Sequence, residues 1–418
     1  MPKLRFSEFI GHPLQELQLA DATAESTERN GSGQAPSQIM GVSKVEGIVP
    51  MEERIVAADT ARYKFVRKDW FAYNPMRLNI GSIARWQGNN DILVSPDYVV
   101  FKCKGAGPHR LDPAYLDHFR RSDAWEEFVS EKGDGSVRVR IYYKDLARLQ
   151  LALPSFPEQQ KIADFLDSVD ALIAAQGRKV EALRAHKKGL MQQLFPQEGE
   201  TQPRLRFPEF RGARQWEEKP LSEFVSSLDA GVSVNSGDRP ATSGEIGVLK
   251  TSAVTNGVFK PQENKVVFEQ ADIDRVKEPV QGNTIIISRM NTPALVGANA
   301  YVKTGLENIF LPDRLWAAKP KSSTSMPFLS LILGSDKGRA ALSKLAKGSS
   351  GSMKNITKPD VLALLIMAPP LPEQQRIADC LTSLDALIAV ESQKLDTLKT
   401  HKKGLMQQLF PSVEEADA

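Results

Sequence analysis

The sequence predicts an α+β chain in which two variable domains alternate with two long constant helices. Three observations support this fold class. A length of 418 residues exceeds what one hydrophobic core usually organises and indicates roughly two to three domains. Residues 157–196 and 372–411 are identical at 27 of 40 aligned positions, and both copies end in HKKGLMQQLFP. Both copies also place apolar residues at alternating steps of four and three, as in a coiled-coil seam.

The repeated segments are predicted to be matched helices that pair within the chain. A helix of about 38 residues is roughly 57 Å long, so its apolar stripe is too long to be buried on one small domain. Both seams are interrupted at the same two places, by Gln176 and Glu391 and by Lys187 and Lys402. Polar seam residues fix the register of a coiled coil at a cost in stability. The alternative is that each helix packs only on its own domain. The apolar seam positions are Ile162, Leu166, Val169, Ile173, Val180, Leu183, Leu190 and Leu194 in the first copy and Ile377, Leu381, Leu384, Ile388, Leu395, Leu398, Leu405 and Leu409 in the second.

The variable regions begin with a second repeated marker, PKLRFSEF at 2–9 and PRLRFPEF at 203–210. Weaker echoes follow in the same order: Gly47 with Gly257, Gly81 with Gly297, and SPDYVVF with LPDRLWA. Order and spacing are kept while side chains change, which indicates one fold used twice. The predicted domains are a variable domain at 1–156, a constant helix at 157–196, a linker with the second variable domain at 197–371, a constant helix at 372–411 and a tail at 412–418.

Composition places the chain among ordinary globular proteins. Hydrophobic residues make up 41% and charged residues 25% of the sequence. The sequence has no apolar run near the roughly 20 residues that cross a bilayer, and its first residues lack the apolar core of a secretion signal. We therefore expect a cytoplasmic location. Cys103 and Cys380 alone provide neither a disulfide framework nor a zinc site.

Two basic stretches suggest a nucleic-acid surface, although the net charge is only +3. Residues 60–110 carry nine Lys/Arg against three Asp/Glu, and residues 319–358 carry eight against one. Arg, Asn and Gln match base edges, while Lys and Ser/Thr bind phosphates. Trp70, Phe71 and Trp316 are assigned to the core instead. The candidate DNA-binding residues are Arg62, Lys64, Arg67, Lys68, Tyr73, Asn74, Arg77, Asn79, Arg85, Gln87, Arg289, Asn291, Thr292, Asn299, Lys347, Ser349, Ser350, Ser352, Lys354 and Asn355.

Known catalytic and metal-binding motifs do not match. YNPM at 73–76 begins like the Asn-Pro-Pro-aromatic motif of adenine methyltransferases but lacks its second Pro and its aromatic residue. A metal-nuclease reading of SPD at 95–97 fails because Lys102 stands where a carboxylate ligand is needed. The sequence has no phosphate-binding loop for ATP, and its five His have no metal-ligand spacing. The sequence therefore predicts a binding protein without a catalytic or metal site.

The segment PLPEQQRIADCLTSLDALIA, its upstream copy and the LRF headers resemble the specificity subunit of type I restriction-modification systems over essentially the whole chain. Two departures are the first signature, LPSFPEQQ, and the polar stretch at 21–38. The resemblance implies two tandem α/β target recognition domains, related by a pseudo-two-fold repeat, each reading one half of a bipartite DNA site. It also implies that the two helices form an antiparallel coiled coil that sets the spacer.

The resemblance further implies a set of partners. The helices would dock two methyltransferase (modification) subunits, which bring S-adenosylmethionine and methylate adenine. Restriction subunits with ATP and Mg²⁺ would translocate and cleave the DNA, and this chain itself would bind none of these cofactors. Two alternatives remain open: a stand-alone DNA nuclease or methyltransferase with an unfamiliar site, and a protein scaffold with no DNA role.

Overall fold

The structure is a computed structural model with mixed helix and sheet, in agreement with the α+β class. It describes residues 2–31, 38–51, 60–131, 140–197, 199–255, 257–347 and 353–410. The chain divides into two compact units. The first unit comprises residues 1–179 and 391–418, and the second unit comprises residues 180–390. Among the described residues, no helix is both long and apolar enough to span a membrane.

The first unit contains two four-stranded sheets and a two-stranded ribbon. The strand orders are β2-β9-β6-β7 and β4-β3-β8-β5, and the ribbon is β1-β10. The pairing is antiparallel except between β3 and β8. The strands are β1 (Gln15–Gln18), β2 (Thr23–Glu25), β3 (Ile39–Ser43), β4 (Gly47–Pro50), β5 (Lys64–Val66), β6 (Phe71–Tyr73), β7 (Ile83–Arg85), β8 (Ile92–Val94), β9 (Val99–Cys103) and β10 (Gln150–Leu153), and the helices are α1 (Leu19–Ala22), α2 (Pro113–Phe119), α3 (Asp123–Glu131), α4 (Tyr143–Leu146) and the first part of α5 (Phe156–Leu194).

The second unit repeats this arrangement. Its sheets have the orders β12-β20-β16-β18 and β14-β13-β19-β15, its ribbon is β11-β22, and a further short ribbon pairs β17 with β21. The strands are β11 (Glu217–Pro220), β12 (Val225–Ala230), β13 (Gly247–Leu249), β14 (Asn264–Val266), β15 (Pro279–Val280), β16 (Thr284–Ser288), β17 (Met290–Asn291), β18 (Asn299–Val302), β19 (Leu306–Phe310), β20 (Leu315–Pro320), β21 (Lys354–Asn355) and β22 (Leu365–Ala368), and the helices are α6 (Gln270–Ile273), α7 (Met326–Gly334), α8 (Asp336–Lys344), α9 (Lys358–Leu362) and the first part of α10 (Leu371–Leu409).

The backbone preserves the duplication where the side chains have diverged. In both units the second sheet contains one parallel pair, β3 with β8 and β13 with β19. Gly47 and Gly257 both have φ of +74°, and Gly81 and Gly297 have φ of +89° and +74°. This left-handed region is readily accessible only to glycine. A Cβ added to Gly297 would also lie 2.7 Å from the Cβ of Leu342.

The cores place the aromatic residues largely as expected. Phe71 is fully buried and stacks on Phe101 with ring centroids 5.0 Å apart. Trp316 is 2% exposed in the core of the second unit, whereas Trp70 is half-buried. Part of the polar stretch at 21–38 enters the fold, because β2 forms an edge strand against β9 with Thr23 buried.

Each unit contains a buried ion pair that connects its header, the repeated segment at 2–9 or 203–210, to the start of its long helix. In the first unit, Nε and Nη2 of Arg5 donate to the two carboxylate oxygens of Glu158 at 2.8 and 2.6 Å. In the second unit, Arg206 makes the same bidentate contact with Glu373 at 2.8 and 2.5 Å. Both glutamate side chains are 1% exposed. In each unit the LRF motif thus supplies the arginine, and the PEQQ motif supplies the glutamate, of this ion pair, which we call the Arg–Glu joint.

The glutamine after each of these glutamates ties the helix to the variable domain. The side chain of Gln159 donates to the carbonyl of Pro154 at 2.9 Å and accepts from the N–H of Asp112, the N-cap of α2, at 2.8 Å. Gln374 repeats the pattern with the carbonyl of Pro369 at 2.9 Å and the N–H of Ser325, the N-cap of α7, at 3.0 Å. Both amides are buried and are partnered on each side.

Within each unit the polar seam residues meet a partner on the other long helix. In the first unit, the amide of Gln176 donates to the carboxylate of Glu391 at 2.6 Å, and Lys402 donates to both oxygens of Asp170 at 2.6 Å. In the second unit, Lys187 donates to Asp385 at 2.5 Å. Every seam position in both helices is buried or half-buried. Polar seam residues that each meet a defined partner on the facing helix specify one register.

Candidate nucleic-acid interface

The second unit brings together two stretches that are far apart in sequence. Strands β17 and β21 pair antiparallel, with Met290 opposite Asn355 and Asn291 opposite Lys354. The N–H of Ile356 also donates to the carbonyl of Arg289 at 3.0 Å. Three candidate residues, Asn291, Lys354 and Asn355, therefore lie on one two-stranded ribbon, and a fourth, Arg289, directly precedes it. A ribbon of this kind fits the major groove of B-DNA.

The ribbon lies beside the ring of Trp316, which is within cation–π distance of two cationic side chains. The guanidinium of Arg289 lies 5.7 Å from the ring centroid of Trp316, and the ammonium of Lys358 lies 5.9 Å from it. Each distance falls within the range of cation–π attraction. Three buried polar atoms here have no hydrogen-bond partner in the described part of the chain: Nε of Arg289, Nε1 of Trp316 and Oδ1 of Asn355.

Other candidates in the second unit are committed to internal contacts. Asn299 is buried and donates to the carbonyls of Gly297 and Leu333 at 3.1 and 3.0 Å. The side chain of Asn291 caps its own turn by accepting from the N–H of Thr292, which is itself exposed. Lys347 pairs with Asp360 at 2.8 Å. Ser349, Ser350 and Ser352 lie outside the described residues.

In the first unit the candidate stretch at 62–91 is spread over two sheets. Arg67 is held by Glu28 in a bidentate pair at 2.8 and 2.5 Å and contacts Asp91 at 3.2 Å. Lys64 donates to the carbonyl of Tyr98 at 2.6 Å, and burial lowers the pKa of its ammonium group. Tyr73 is fully buried.

Three further candidates in this stretch make local contacts. Asn74 accepts from the N–H of Met76 at 3.0 Å and so caps a turn. Arg85 is half-buried and contacts Asp69 at 3.3 Å. Lys68 is exposed and reaches Asn89 at 3.4 Å. These contacts position the loop, and the exposed candidates that remain are Arg62, Arg77, Asn79 and Gln87.

A groove of about 1220 Å³ opens on the first unit between the β3–β4 turn, the turn around Gly81 and helices α2 and α3. Asn79, Arg85 and Gln87 line it. With Arg85 included, its walls contain four Lys/Arg and five Asp/Glu, so its charge is mixed and not basic. Three candidates therefore share one concave surface, whereas Arg62, Lys64, Arg67 and Lys68 lie elsewhere.

The sequence analysis missed three exposed or ring-contacting cations near the candidate surfaces, Arg140, Arg314 and Lys358. The carbonyl of Arg314 accepts a hydrogen bond from the N–H of Arg289 at 3.0 Å. Arg140 precedes Ile141, whose N–H donates to the carbonyl of Pro75 at 3.0 Å, just as Ile356 binds the carbonyl of Arg289. Ile141 and Ile356 are 215 residues apart, which is the spacing of the helix repeat. Extending the repeat upstream of Pro157 would have aligned Arg140 with Asn355.

Among the residues that the structure describes in the first unit, three metal-ligand side chains form a cluster. Ligand atoms of His118, Asp167 and Asp170 lie within 4.8 Å of one another. His118 Nε2 lies 2.9 Å from Asp167, while the ammonium of Lys402 already contacts both oxygens of Asp170. Burial lowers the pKa of His118 against the opposing effect of Asp167. We interpret the cluster as an ion-pair network that joins α2 to the long helices, because Lys402 occupies the cation position beside Asp170.

Comparison with known proteins identifies relatives of this chain. The family model of the type I restriction modification DNA specificity domain matches residues 126–184 and 213–400, which is more than half of the sequence. The specificity subunit of the type I restriction enzyme MjaVIII from Methanocaldococcus jannaschii is 26% identical over 309 residues, covering 72% of this chain and 70% of that protein.

Two solved structures have a similar fold. The S subunit of a type I restriction-modification system from M. genitalium gives a TM-score of 0.60 at 14% identity, covering 99% of this chain and 100% of that one. A chain from a structural study of complex assembly and conformational transition in the type I R-M system gives a TM-score of 0.54 at 18% identity, covering 96% of this chain and 98% of that one.

Proposed function

Since the chain belongs to the family of type I restriction modification DNA specificity domains, we propose that it is the DNA-recognition subunit of a type I restriction-modification complex. The family resemblance predicted from the repeated motifs is thereby confirmed. The chain is the specificity subunit of such a system and is not a catalytic subunit by itself. Each variable domain reads one half of a bipartite DNA site, and the long helices set the spacer between the halves.

One observation supports this proposal most strongly: the chain repeats its scaffold and changes its surface. Strand order, the glycine backbone angles and the Arg–Glu joint recur in both units. The polar side chains at these surfaces do not recur. The second unit places the half-buried Arg289 and Asn355 at the β17–β21 ribbon, while the first unit presents the exposed Arg77 and Asn79 on a turn. A repeated fold with independently varied polar surfaces suits two domains that recognise two different DNA sequences.

The proposed architecture is two target recognition domains, at 1–156 and 197–371, joined by an antiparallel coiled coil of the helices at 157–196 and 372–411. The contacts of Lys402 with Asp170 and of Gln176 with Glu391 support it, because residue numbers rise along one helix as they fall along the other. The helices dock two modification subunits, which supply S-adenosylmethionine. Restriction subunits supply ATP and Mg²⁺, and this chain binds none of these cofactors.

The decisive experiment is to express the chain with its cognate modification subunits and to map methylated adenines in the host genome by single-molecule sequencing. We expect one bipartite motif with a spacer of fixed length. The matched control is the chain without partners, which should leave the genome unmodified. Modification or cleavage of DNA by the chain alone would favour a stand-alone enzyme. An assembled complex with no sequence preference would favour a scaffold with no DNA role.

The spacer role has its own test. Matched seven-residue insertions in both long helices lengthen the pair by about 10.5 Å, at 1.5 Å per residue. At about 3.4 Å per base pair, the spacer should grow by about three base pairs. The same methylation map measures it, and an unchanged spacer would contradict the role.

A further inference from the structure

We infer that Arg289 and Asn355, on the β17–β21 ribbon, are the residues that read bases in the half-site of the second unit, with Arg289 taking guanine and Asn355 taking adenine. This inference rests on the proposed function. It adds the reading element, the two side chains and the bases that they select.

The first step concerns which polar side chains are uncommitted. Arg67 and Lys347 each spend their polar groups on partners inside the chain. For Arg289 and Asn355, by contrast, the described part of the chain provides no side-chain hydrogen-bond partner. A buried polar atom that lacks a partner is destabilising. Turning these side chains toward DNA therefore breaks no internal hydrogen bond and gives each group the partners that it lacks.

The second step concerns how the two residues are held. Arg289 follows the fully buried strand β16, and its N–H donates to the carbonyl of Arg314 at 3.0 Å. Asn355 is fixed by the pairing of β21 with β17 and by two backbone hydrogen bonds with Lys347, at 2.9 and 3.0 Å. The two backbones are therefore rigidly placed while the side chains are not. Specificity requires this combination, because a base edge is read only from a defined backbone position.

The third step concerns charge and the aromatic ring. The guanidinium of Arg289 lies 5.7 Å from the ring centroid of Trp316, which is 2% exposed and cannot itself leave the core. The guanidinium of Arg289 therefore lies beside an immobile aromatic ring. Lys358 on the same ring and the exposed Arg314 add positive charge beside the ribbon. These cations attract the phosphates on both sides of the bases that the ribbon would contact.

The fourth step assigns the bases. Arginine donates two parallel hydrogen bonds to O6 and N7 of guanine, and asparagine donates to N7 and accepts from the N6 amine of adenine in the major groove. Arg289 directly precedes β17, and its carbonyl accepts from the N–H of Ile356, the residue after Asn355, so the two side chains are expected to reach neighbouring base pairs. The half-site of the second unit is therefore expected to contain a guanine and an adenine close together.

The test uses the full chain in complex with its modification subunits and compares methylation motifs. Arg289→Ala should reduce the preference for guanine at one position of the second half-site by about 5- to 150-fold, and Asn355→Ala should do the same for adenine at another position. Lys277→Ala, which removes an exposed cation on the loop before β15, is the matched control and should leave the motif unchanged.

The first half-site is an internal control for folding and assembly, because the first unit retains its own reading surface. Arg289→Lys should also relax its position, because an ammonium lacks the planar fork of the guanidinium. Asn355→Gln keeps an amide that can pair with adenine and should retain more of the adenine preference than Asn355→Ala. Unchanged motifs, or a uniform loss of methylation with both half-sites intact, would overturn the inference and leave the proposed function standing. Failure of the wild-type complex to methylate a specific sequence would overturn the proposed function instead.

Discussion

Replacing Arg5 with Met should destabilise the first unit by leaving a buried carboxylate without its cation. Glu158 is 1% exposed, and both of its oxygens are bound by Arg5 at 2.8 and 2.6 Å. Breaking one side of a buried ion pair costs about 3–5 kcal/mol. Glu158 also lies in the first turn of α5, where the helix dipole favours negative charge by about 0.3–2 kcal/mol. We therefore expect a net loss of about 2–4 kcal/mol in the free energy of unfolding.

Hydrogen exchange measured by mass spectrometry is the suitable assay, because a chain of two units need not unfold in one step. Protection in the Arg5→Met variant should fall in the first unit and stay unchanged in the second. The double variant Arg5→Met with Glu158→Met should recover most of the loss, since an apolar pair leaves no buried charge. Arg204→Met is the control, because its ion pair with Glu200 lies at the surface, where such pairs contribute little to stability. A loss below about 1 kcal/mol for Arg5→Met would refute the reasoning.

Two further predictions concern contacts that the long helices make. Gln176→Glu replaces a donor to Glu391 with a second carboxylate and should destabilise the first unit, less so at high salt. The swap Gln176→Glu with Glu391→Gln should restore the stability. Equal stability of the single variant and the wild type in thermal unfolding would count against a register role. Because burial lowers the pKa of His118, the unfolded chain binds the extra proton first, so stability should fall as the pH drops below the usual histidine pKa of about 6.5. His118→Gln should flatten that decline in a pH series of unfolding experiments, and an unchanged slope would show that other groups cause it.

The long helices were the most predictable part of the fold, because their signal is local and repeated. The seam positions follow from heptad spacing alone, and α5 and α10 begin one residue before the repeated segments. The polar interruptions could be seen in the sequence, but their partners could not be read directly. Asp170 and Asp385 are not seam residues, and only the packed helices show that they face Lys402 and Lys187.

In the sequence, the Arg–Glu joint between header and helix showed only as two repeated motifs, LRF and PEQQ, with no evident connection. Arg5 and Glu158 are 153 residues apart, and nothing in their local sequence indicates a bidentate contact. The repeats showed that both motifs recur together, and the fold supplies the physical reason. A buried ion pair requires both partners, so neither motif can change alone.

The candidate DNA-reading residues were the least predictable part, because the polarity of a side chain does not show whether it is already bound to partners inside the protein. Arg67 and Arg289 are both arginines in basic stretches, yet one is held by Glu28 and Asp91 while the other has an unpartnered Nε. Tyr73 and Asn299 are polar residues that the fold buries. The distinction depends on contacts between strands that are distant in sequence. The assignment of individual bases therefore remains a prediction.

The measurement that tests the account most directly is the methylation motif of a chimera. Residues 221–364, which lie inside the β11–β22 ribbon and the Arg206–Glu373 joint, would be exchanged for the equivalent region of a relative with a different site. The account predicts that the second half-site changes to that of the relative, while the first half-site and the spacer stay the same. A motif in which both half-sites change, or neither does, would contradict the division of the chain into constant frame and independent readers.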